Sequence, residues 1–357
     1  MAEPIGIGII GAGTIAESNH LPGYQKQPDA RIVAIADVNG ERAQGIAEKF
    51  GAPHSYADYR ELLADPDVQA VSVCAPNFQH APLSIAALQA GKHVIVEKPP
   101  ALSAAEGRQV AEIARASGKV FMVCQNQRFR PEVMQLRRYV EAGELGEVYY
   151  AKTSILRRRG APGGWFAQKK LSGGGALIDI GVHCLDWTRW ILGNPRPRQV
   201  LGVTRQKIGS YHLDEHRSYT PADMRGQPRA ENWAGDADEL AYAVIRMEPD
   251  VTLTLEVSWA LNLERDTSAT EIFGDKAGAK LEPLTIYGEE MGRLVDKTPR
   301  VQPIPYAETH ARAIRHFLDC IHTNQQPMSD AAQAIVTLQI LDAIYESSHT
   351  GKLVEIE

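Results

Sequence analysis

Cysteine is scarce: Cys74, Cys124, Cys184 and Cys320 are the only four in 357 residues, and no two form a Cys-x-x-Cys pair. That spacing argues against a disulfide framework or a zinc site and fits reduced thiols in a cytoplasmic protein. No apolar run is long enough to cross a bilayer. An apolar strand pattern begins at Ile5, which leaves no room for a signal peptide. Internal repeats and low-complexity tracts are missing. Positive charge is not in excess either: the net charge of −6 removes any general attraction to nucleic acid or anionic membrane. What remains is the composition of an ordinary soluble globular protein, at a length that suits two domains.

The most informative stretch is Ile5–Ala16, an apolar strand pattern followed by Gly11-Ala-Gly13-Thr14-Ile15-Ala16. Gly11 permits a tight turn, and Gly13 removes a side chain so that backbone can touch a pyrophosphate. Ala16 is small enough for a following helix to pack on the strand, and that helix offers its N-terminal N–H groups to phosphate. A second strand pattern, Arg31–Asp37, ends in a carboxylate about 20 residues past the turn, the place from which an acidic residue hydrogen-bonds an adenosine ribose. A carboxylate there repels a 2′-phosphate, so the expected cofactor is NAD.

The first third continues as alternating strand and helix. Strand patterns at Ala70–Ala75, His93–Lys98 and Val120–Gln125 are near-continuous apolar runs, as in a parallel sheet covered on both faces. Ser103-Ala-Ala-Glu106 reads as a capping box, and Gly91 and Gly118 as helix ends. These features predict a doubly wound Rossmann domain over residues 1–127. Beyond it the pattern changes. Val251–Trp259 alternates apolar and polar residues, the sign of a sheet with one covered face. Val148–Leu156, Val200–Ile208 and Ala241–Met247 are further strand patterns, with helices predicted at Pro131–Ala142, near Gly175–Leu192, at Tyr306–His322 and at Asp330–Ser348. Residues 128–357 are therefore expected to form an α+β domain on a large, mostly antiparallel open sheet. Tyr211–Gly235, rich in Pro, Gly, Asp and Arg, reads as a long excursion; its His212, Asp214, Glu215 and His216 are metal-capable but lack a supporting motif.

Three places can carry chemistry. Glu97-Lys98-Pro99 follows a strand, so Lys98 stands at the carboxyl end of the sheet, where open α/β sheets bind ligands. Pro99 restricts Lys98 to extended backbone and permits a cis peptide. Asp179 and His183 are i and i+4 on a predicted helix and share a face, with Asp186 placed to orient the imidazole and Gly173-Gly-Gly175 opening the backbone to a ligand. Gln125-Asn-Gln-Arg128 ends the last strand of the first domain; Arg128 reaches cofactor or substrate from there, or makes a structural contact. Two further positions bear on the substrate. Arg157-Arg-Arg159 meets an acidic group or is a solvated strand end, and Trp165 stacks on a sugar face or packs.

Gly11-Ala-Gly13-x-x-Ala16, Ala75-Pro76-Asn77-x-x-His80, Glu97-Lys98-Pro99 and Gly173-Gly-Gly-x-x-x-Asp179-x-Gly-x-His183-x-x-Asp186 occur in the order and spacing of the Gfo/Idh/MocA oxidoreductases. The chain resembles that family along essentially its whole length. The resemblance implies an NAD-dependent dehydrogenase of a sugar or cyclitol hydroxyl, with Lys98, Asp179 and His183 as the catalytic set. Gly11, Gly13, Thr14, Ile15, Asp37, Ala75, Pro76, Asn77, His80, Glu97, Lys98, Gln125 and Arg128 are the expected cofactor contacts. Lys98, Arg157, Trp165, Asp179 and His183 are the expected substrate contacts, and no metal is expected. The resemblance also implies dimers or tetramers through the second-domain sheet. An NAD-retaining glycosidase on the same scaffold and a non-catalytic NAD or sugar sensor are the competing readings.

Overall fold

The computed structural model describes residues 3–208 and 235–356. They divide into two compact units, 3–126 with 305–335, and 127–208 with 235–304 and 336–356. The division at 127/128 drawn from sequence therefore misses one return of the chain: residues 305–335 belong with the first unit. All but the last residue of the Tyr211–Gly235 excursion, with its metal-capable side chains, lies outside the described residues.

The first unit is built on β1 (Ile5–Ile10), β2 (Ala30–Ala36), β3 (His54–Tyr56), β4 (Ala70–Val73), β5 (His93–Val96) and β6 (Phe121–Val123). All pair in parallel, in the order β3-β2-β1-β4-β5-β6. The apolar runs are buried throughout, Ile7, Ile9, Ile35, Val71 and Ile95 completely, because helices cover both faces. Local signals end the helices where expected. Ser103 accepts from the Glu106 N–H at 3.3 Å, Glu106 accepts from the Leu102 N–H at 3.0 Å, and Gly118 closes that helix at φ 65°. The returning segment contributes the helix Tyr306–Thr323, whose Arg315 forks onto Asp29 at 2.5 and 2.8 Å. Ser329 then pairs both ways with Val123 of edge strand β6, its N–H excepted: the Val123 N–H donates to the Ser329 carbonyl at 2.9 Å and the Ser329 hydroxyl to the Val123 carbonyl at 2.6 Å. That covers part of an edge that would otherwise be open.

The strands of this unit leave the ladder earlier than their apolar runs suggest. Cys74-Ala75, Glu97-Lys98 and Cys124-Gln125 each lie just past the last paired residue. Apolar character persists there because the chain is still buried, and the first residue of each pair donates one last N–H to the end of the neighbouring strand: Cys74 to the Ile10 carbonyl at 2.8 Å, Glu97 to that of Val73 at 3.0 Å and Cys124 to that of Val96 at 2.7 Å.

The second unit carries a nine-stranded sheet formed by β7 (Val148–Leu156), β8 (Pro197–Arg205), β9 (Leu240–Met247), β10 (Val251–Ser258), β11 (Thr267–Gly274), β12 (Gly278–Leu281), β13 (Leu284–Glu290), β14 (Arg293–Lys297) and β15 (Val354–Glu355). The order is β14-β13-β12-β11-β7-β10-β9-β8-β15; only β7 and β10 run parallel. Alternation along β10 is realised, with Val251, Leu253, Leu255 and Val257 buried. The helical stretch Leu177–Ile191 packs on this covered face. Among its contacts, a Cβ added to Gly181 would lie 3.3 Å from Val257. No helix among the described residues is long and apolar enough to cross a membrane.

Candidate active site

The glycine turn is shaped for a dinucleotide. Gly11 has φ +96°, a conformation that disfavours any side chain, and a Cβ there would meet Cys74 and Ala75 backbone atoms at 2.8 Å. At Gly13 the situation reverses: an added Cβ would meet no protein atom within 4 Å, so the residue keeps a space over the following helix start empty. Gly11, Gly13, Thr14 and Ile15 are all half-buried, while Ala12 and Ala16 are buried beneath them. The open cradle at Gly13 fits a pyrophosphate.

Asp37 is buried and ties this turn to β2. Its carboxylate accepts from the Ala12 N–H at 2.8 Å, from the Asn39 N–H at 2.8 Å and from the Arg42 guanidinium at 2.7 Å. Arg42 was not singled out from sequence, because an arginine in the first turn of a surface helix carries no local signal. Its pairing with Asp37 makes a sharp expectation. On the sequence reading of Asp37 as the ribose acceptor, Asp37→Ala removes that acceptor and frees the Arg42 guanidinium that now pairs with it, which a 2′-phosphate would attract. The kcat/KM ratio for NAD over NADP should fall by roughly 10–100-fold, the worth of a charged hydrogen bond. Parallel assays with the two cofactors check it, and an unchanged ratio counts against the ribose assignment.

At the carboxyl ends of β4 and β5 two buried side chains brace the Lys98 turn. His80 places its Nε2 2.7 Å from the Ala75 carbonyl and its Nδ1 2.6 Å from the Pro99 carbonyl. Burial pushes this imidazole's pKa down, against the pull of the two carbonyls. A neutral ring donates to only one of them at a time. Glu97 is 7% exposed; its Oε1 meets His20 Nε2 at 2.9 Å and His310 Nε2 at 3.7 Å, and its Oε2 accepts from the Lys98 N–H at 3.3 Å. Burial alone would raise the Glu97 pKa, but the two histidines outweigh it and hold the carboxyl well below the usual range. His80 and Glu97, both expected as cofactor contacts, are thus buried braces. Lys98 itself is half-buried, and the Lys98–Pro99 peptide is cis. Ala75, beside Gly11, and Pro76 are half-buried; Asn77 and Gln125 are buried at the same end of the sheet.

In the second unit, Asp179 lies in a π-helical turn, Leu177–Gly181, that runs into the α-helix Val182–Ile191 carrying His183. From Gly174 to Ile191 every residue is buried except two, and those two are Asp179 and His183. A wide turn of this kind inside a helix is common at functional sites. Trp259, wholly buried, donates its indole N–H to Asp179 Oδ2 at 2.9 Å and so anchors the carboxylate. Asp238 holds the start of the stretch: it accepts from the Gly175 N–H at 2.8 Å, from the Leu177 N–H at 3.1 Å and from the Tyr345 hydroxyl at 2.7 Å.

Several expectations are corrected here. Asp186 does not orient His183. It is buried, and Arg128 forks onto it with bonds of 2.7 and 2.6 Å. Arg128, 1% exposed, is committed to that ion pair, so of its two sequence readings the structural contact is the one the geometry provides. The glycine run serves packing: a Cβ on Gly175 would lie 1.7 Å from the Asp238 carbonyl oxygen, and one on Gly174 would lie 1.9 Å from the Tyr345 hydroxyl. Arg157 donates to the Gly160 carbonyl at 3.2 Å, Arg158 to that of Glu264 at 3.1 Å and Arg159 to that of Leu261 at 2.9 Å. Trp165 stacks on Phe166 with ring centroids 3.8 Å apart.

Residues 5–125 match the family profile described as "Oxidoreductase family, NAD-binding Rossmann fold", and residues 133–280 match the "GFO/IDH/MocA C-terminal domain". The chain is 35% identical to D-glucoside 3-dehydrogenase of Escherichia coli (strain K12), over 99% of this chain and 98% of that one. The chain belongs to the GFO/IDH/MocA oxidoreductase family. It is also 25% identical to scyllo-inositol 2-dehydrogenase (NAD(+)) of Bacillus subtilis (strain 168), over 100% of this chain and 98% of the relative. A levoglucosan dehydrogenase structure with NADH and L-sorbose superposes with a TM-score of 0.86 at 25% identity, covering 100% of both chains.

In this GFO/IDH/MocA oxidoreductase the first unit is thus an NAD-binding Rossmann domain, and the open cradle at Gly13 and the Asp37 carboxylate are the residues that fit NAD. The enzyme acts on CH–OH groups. Asp238 and Trp259 were missed in the sequence because a lone aspartate before a strand and a tryptophan at a strand end have many uses.

Proposed function

We propose that this oxidoreductase removes a hydride from a secondary ring hydroxyl carbon of a neutral pyranoside or cyclitol, with Lys98, Asp179 and His183 as the catalytic set. The observation that carries the reading is the exposure pattern of residues 174–191, where a buried helix opens only at Asp179 and His183. The full-length similarity to a D-glucoside 3-dehydrogenase supports a glucoside as first choice. The engagement of Arg157, Arg158 and Arg159 with backbone carbonyls favours a neutral substrate over a uronate or sugar phosphate.

Bound NAD supplies the hydride acceptor. His183 takes the hydroxyl proton as the carbon–hydrogen bond breaks, and the imidazole suits that role near neutral pH. Lys98, as an ammonium, donates to the reacting oxygen and stabilises the charge that develops on it. Asp179, steered by the Trp259 indole, positions His183 and the substrate hydroxyl. Methyl glucosides, inositols and uronates offered with NAD, with absorbance of the reduced nicotinamide as readout, test the reading. Turnover confined to the neutral polyols is expected. Cleavage of a glycoside without net reduction would favour an NAD-retaining glycosidase instead.

The chain further reads as a homo-oligomer through the open face of the nine-stranded sheet. Leu201 and Val203 on β8 lie opposite Val244 and Tyr242 on β9, and Leu201 and Tyr242 are 47% and 40% exposed. An apolar strip of this kind on a wide sheet suits a second copy. The double variant Leu201→Asp, Tyr242→Asp should reduce the mass seen by light scattering to that of one chain; an unchanged mass would remove this face from assembly. Four free buried thiols fit a reducing, cytoplasmic setting.

A further inference from the structure

His20, Glu97, Cys124 and His310 form a cluster of which the proposed chemistry uses only the Glu97 Oε2 brace on the Lys98 N–H. Their donor atoms all lie within 4.8 Å of one another and all four residues are buried. Each comes from a different element of the first unit: the π-helical turn Ala16–His20, the loop after β5, the loop after β6, and the returning helix Tyr306–Thr323. We propose that this cluster is a structural zinc site that fastens the returning helix to the Rossmann sheet.

Four observations support it. The donor set, two imidazoles, a thiol and a carboxylate, is one that zinc takes in tetrahedral sites, and it is too poor in oxygen for calcium or magnesium. The spacing is close: His20 Nε2 and His310 Nε2 lie 2.9 and 3.7 Å from Glu97 Oε1. Tetrahedral zinc at usual bond lengths sets its ligands about 3.3–3.8 Å apart, so the widest pair, at 4.8 Å, closes by about 1 Å. The outer shell is in place: His20 Nδ1 lies 3.2 Å from the Ser72 hydroxyl, which Tyr24 meets at 2.8 Å. His310 Nδ1 lies 3.4 Å from the Tyr306 carbonyl and 3.4 Å from the Asn126 amide nitrogen, which donates to Thr309 at 2.8 Å. Both rings thus turn Nε2 inward while Nδ1 is held from outside, the arrangement found around metal-bound histidines. Finally, the charges cancel. Cys124 enters as thiolate, its proton leaving to solvent as the zinc–sulfur bond forms. The dication, one thiolate, one carboxylate and two neutral imidazoles then sum to zero, which removes the cost of a net buried charge.

All four positions of the tetrahedron are filled by protein, so the site has no room for substrate and its role is structural. It does not depend on which hydroxyl the enzyme oxidises. The test uses the full chain, produced with zinc and gel-filtered, with metal content measured by mass spectrometry; a second sample is refolded with Co²⁺ and its absorption recorded. About one zinc per chain is expected, with a thiolate-to-cobalt charge-transfer band and tetrahedral d–d bands in the cobalt form. Cys124→Ser should abolish the charge-transfer band, and Cys124→Ser with His310→Gln should lose the metal while still binding NAD. A chain without zinc that also gives no cobalt bands overturns the proposal and leaves a hydrogen-bonded His20–Glu97–His310 chain in its place. So does a double variant that folds and keeps its zinc. Should the variants fail to fold, the cobalt spectrum of the unaltered chain decides.

Discussion

His183→Asn lowers kcat by roughly 10²–10⁴, the usual worth of a positioned general base, with NAD affinity unchanged. Asparagine keeps the size and polarity of the imidazole closely enough to occupy the same half-buried position, but its amide cannot accept a proton near neutral pH. The loss therefore belongs to the transition state, about 3–5 kcal/mol of it. His183 is one of two residues that the stretch 174–191 leaves partly open, so the change spares the covered face on which this helix packs. Thermal stability should shift little. Steady-state kinetics with the best neutral polyol, together with NAD titration by fluorescence, checks both halves. Unchanged turnover would take His183 out of the reaction; lost NAD binding would make it a structural residue.

Lys98→Met costs about 10²–10³ in kcat, the range measured when a donor to a developing oxyanion is removed. Methionine keeps the length and the apolar stem and loses only the ammonium. The backbone at this point is braced independently. Glu97 accepts from the Lys98 N–H, and His80 holds the Pro99 carbonyl. The variant should therefore fold and bind NAD. Lys98→Arg should recover only part of the loss, because a planar guanidinium does not place its charge where a compact ammonium does. Full activity in Lys98→Met, measured by reduced-nicotinamide absorbance at saturating substrate, would show that the reacting oxygen finds its donor elsewhere.

The first unit was largely legible in the sequence because its signals are local. Buried parallel strands read as apolar runs, and Gly11, Gly13, Ser103 and Gly118 mark turns and caps whose chemistry is decided within a few residues. In the second unit β10 was legible for the same reason, but β11 to β14 were not: β14 is exposed or half-exposed at all five positions, so no covered face imposes a period on it. The π-helical turn at Leu177–Gly181 leaves no composition mark that separates it from an α-helix. What sequence distance hides is larger still. Residues 305–335 rejoin the first unit, Asp186 answers Arg128 rather than His183, and Asp238 caps a helix 63 residues before it. The scattering of the four cysteines argues against a zinc site in the sequence; the fold nevertheless brings Cys124 together with His20, Glu97 and His310.

The central claim is that Lys98 and His183 serve one reaction, and a double-mutant cycle tests it most directly. Residues that act together on one transition state lose their effects non-additively. The account predicts that Lys98→Met combined with His183→Asn is slower than the worse single variant by less than about 10-fold. Losses that multiply in full, with both single variants folded and binding NAD, would contradict it.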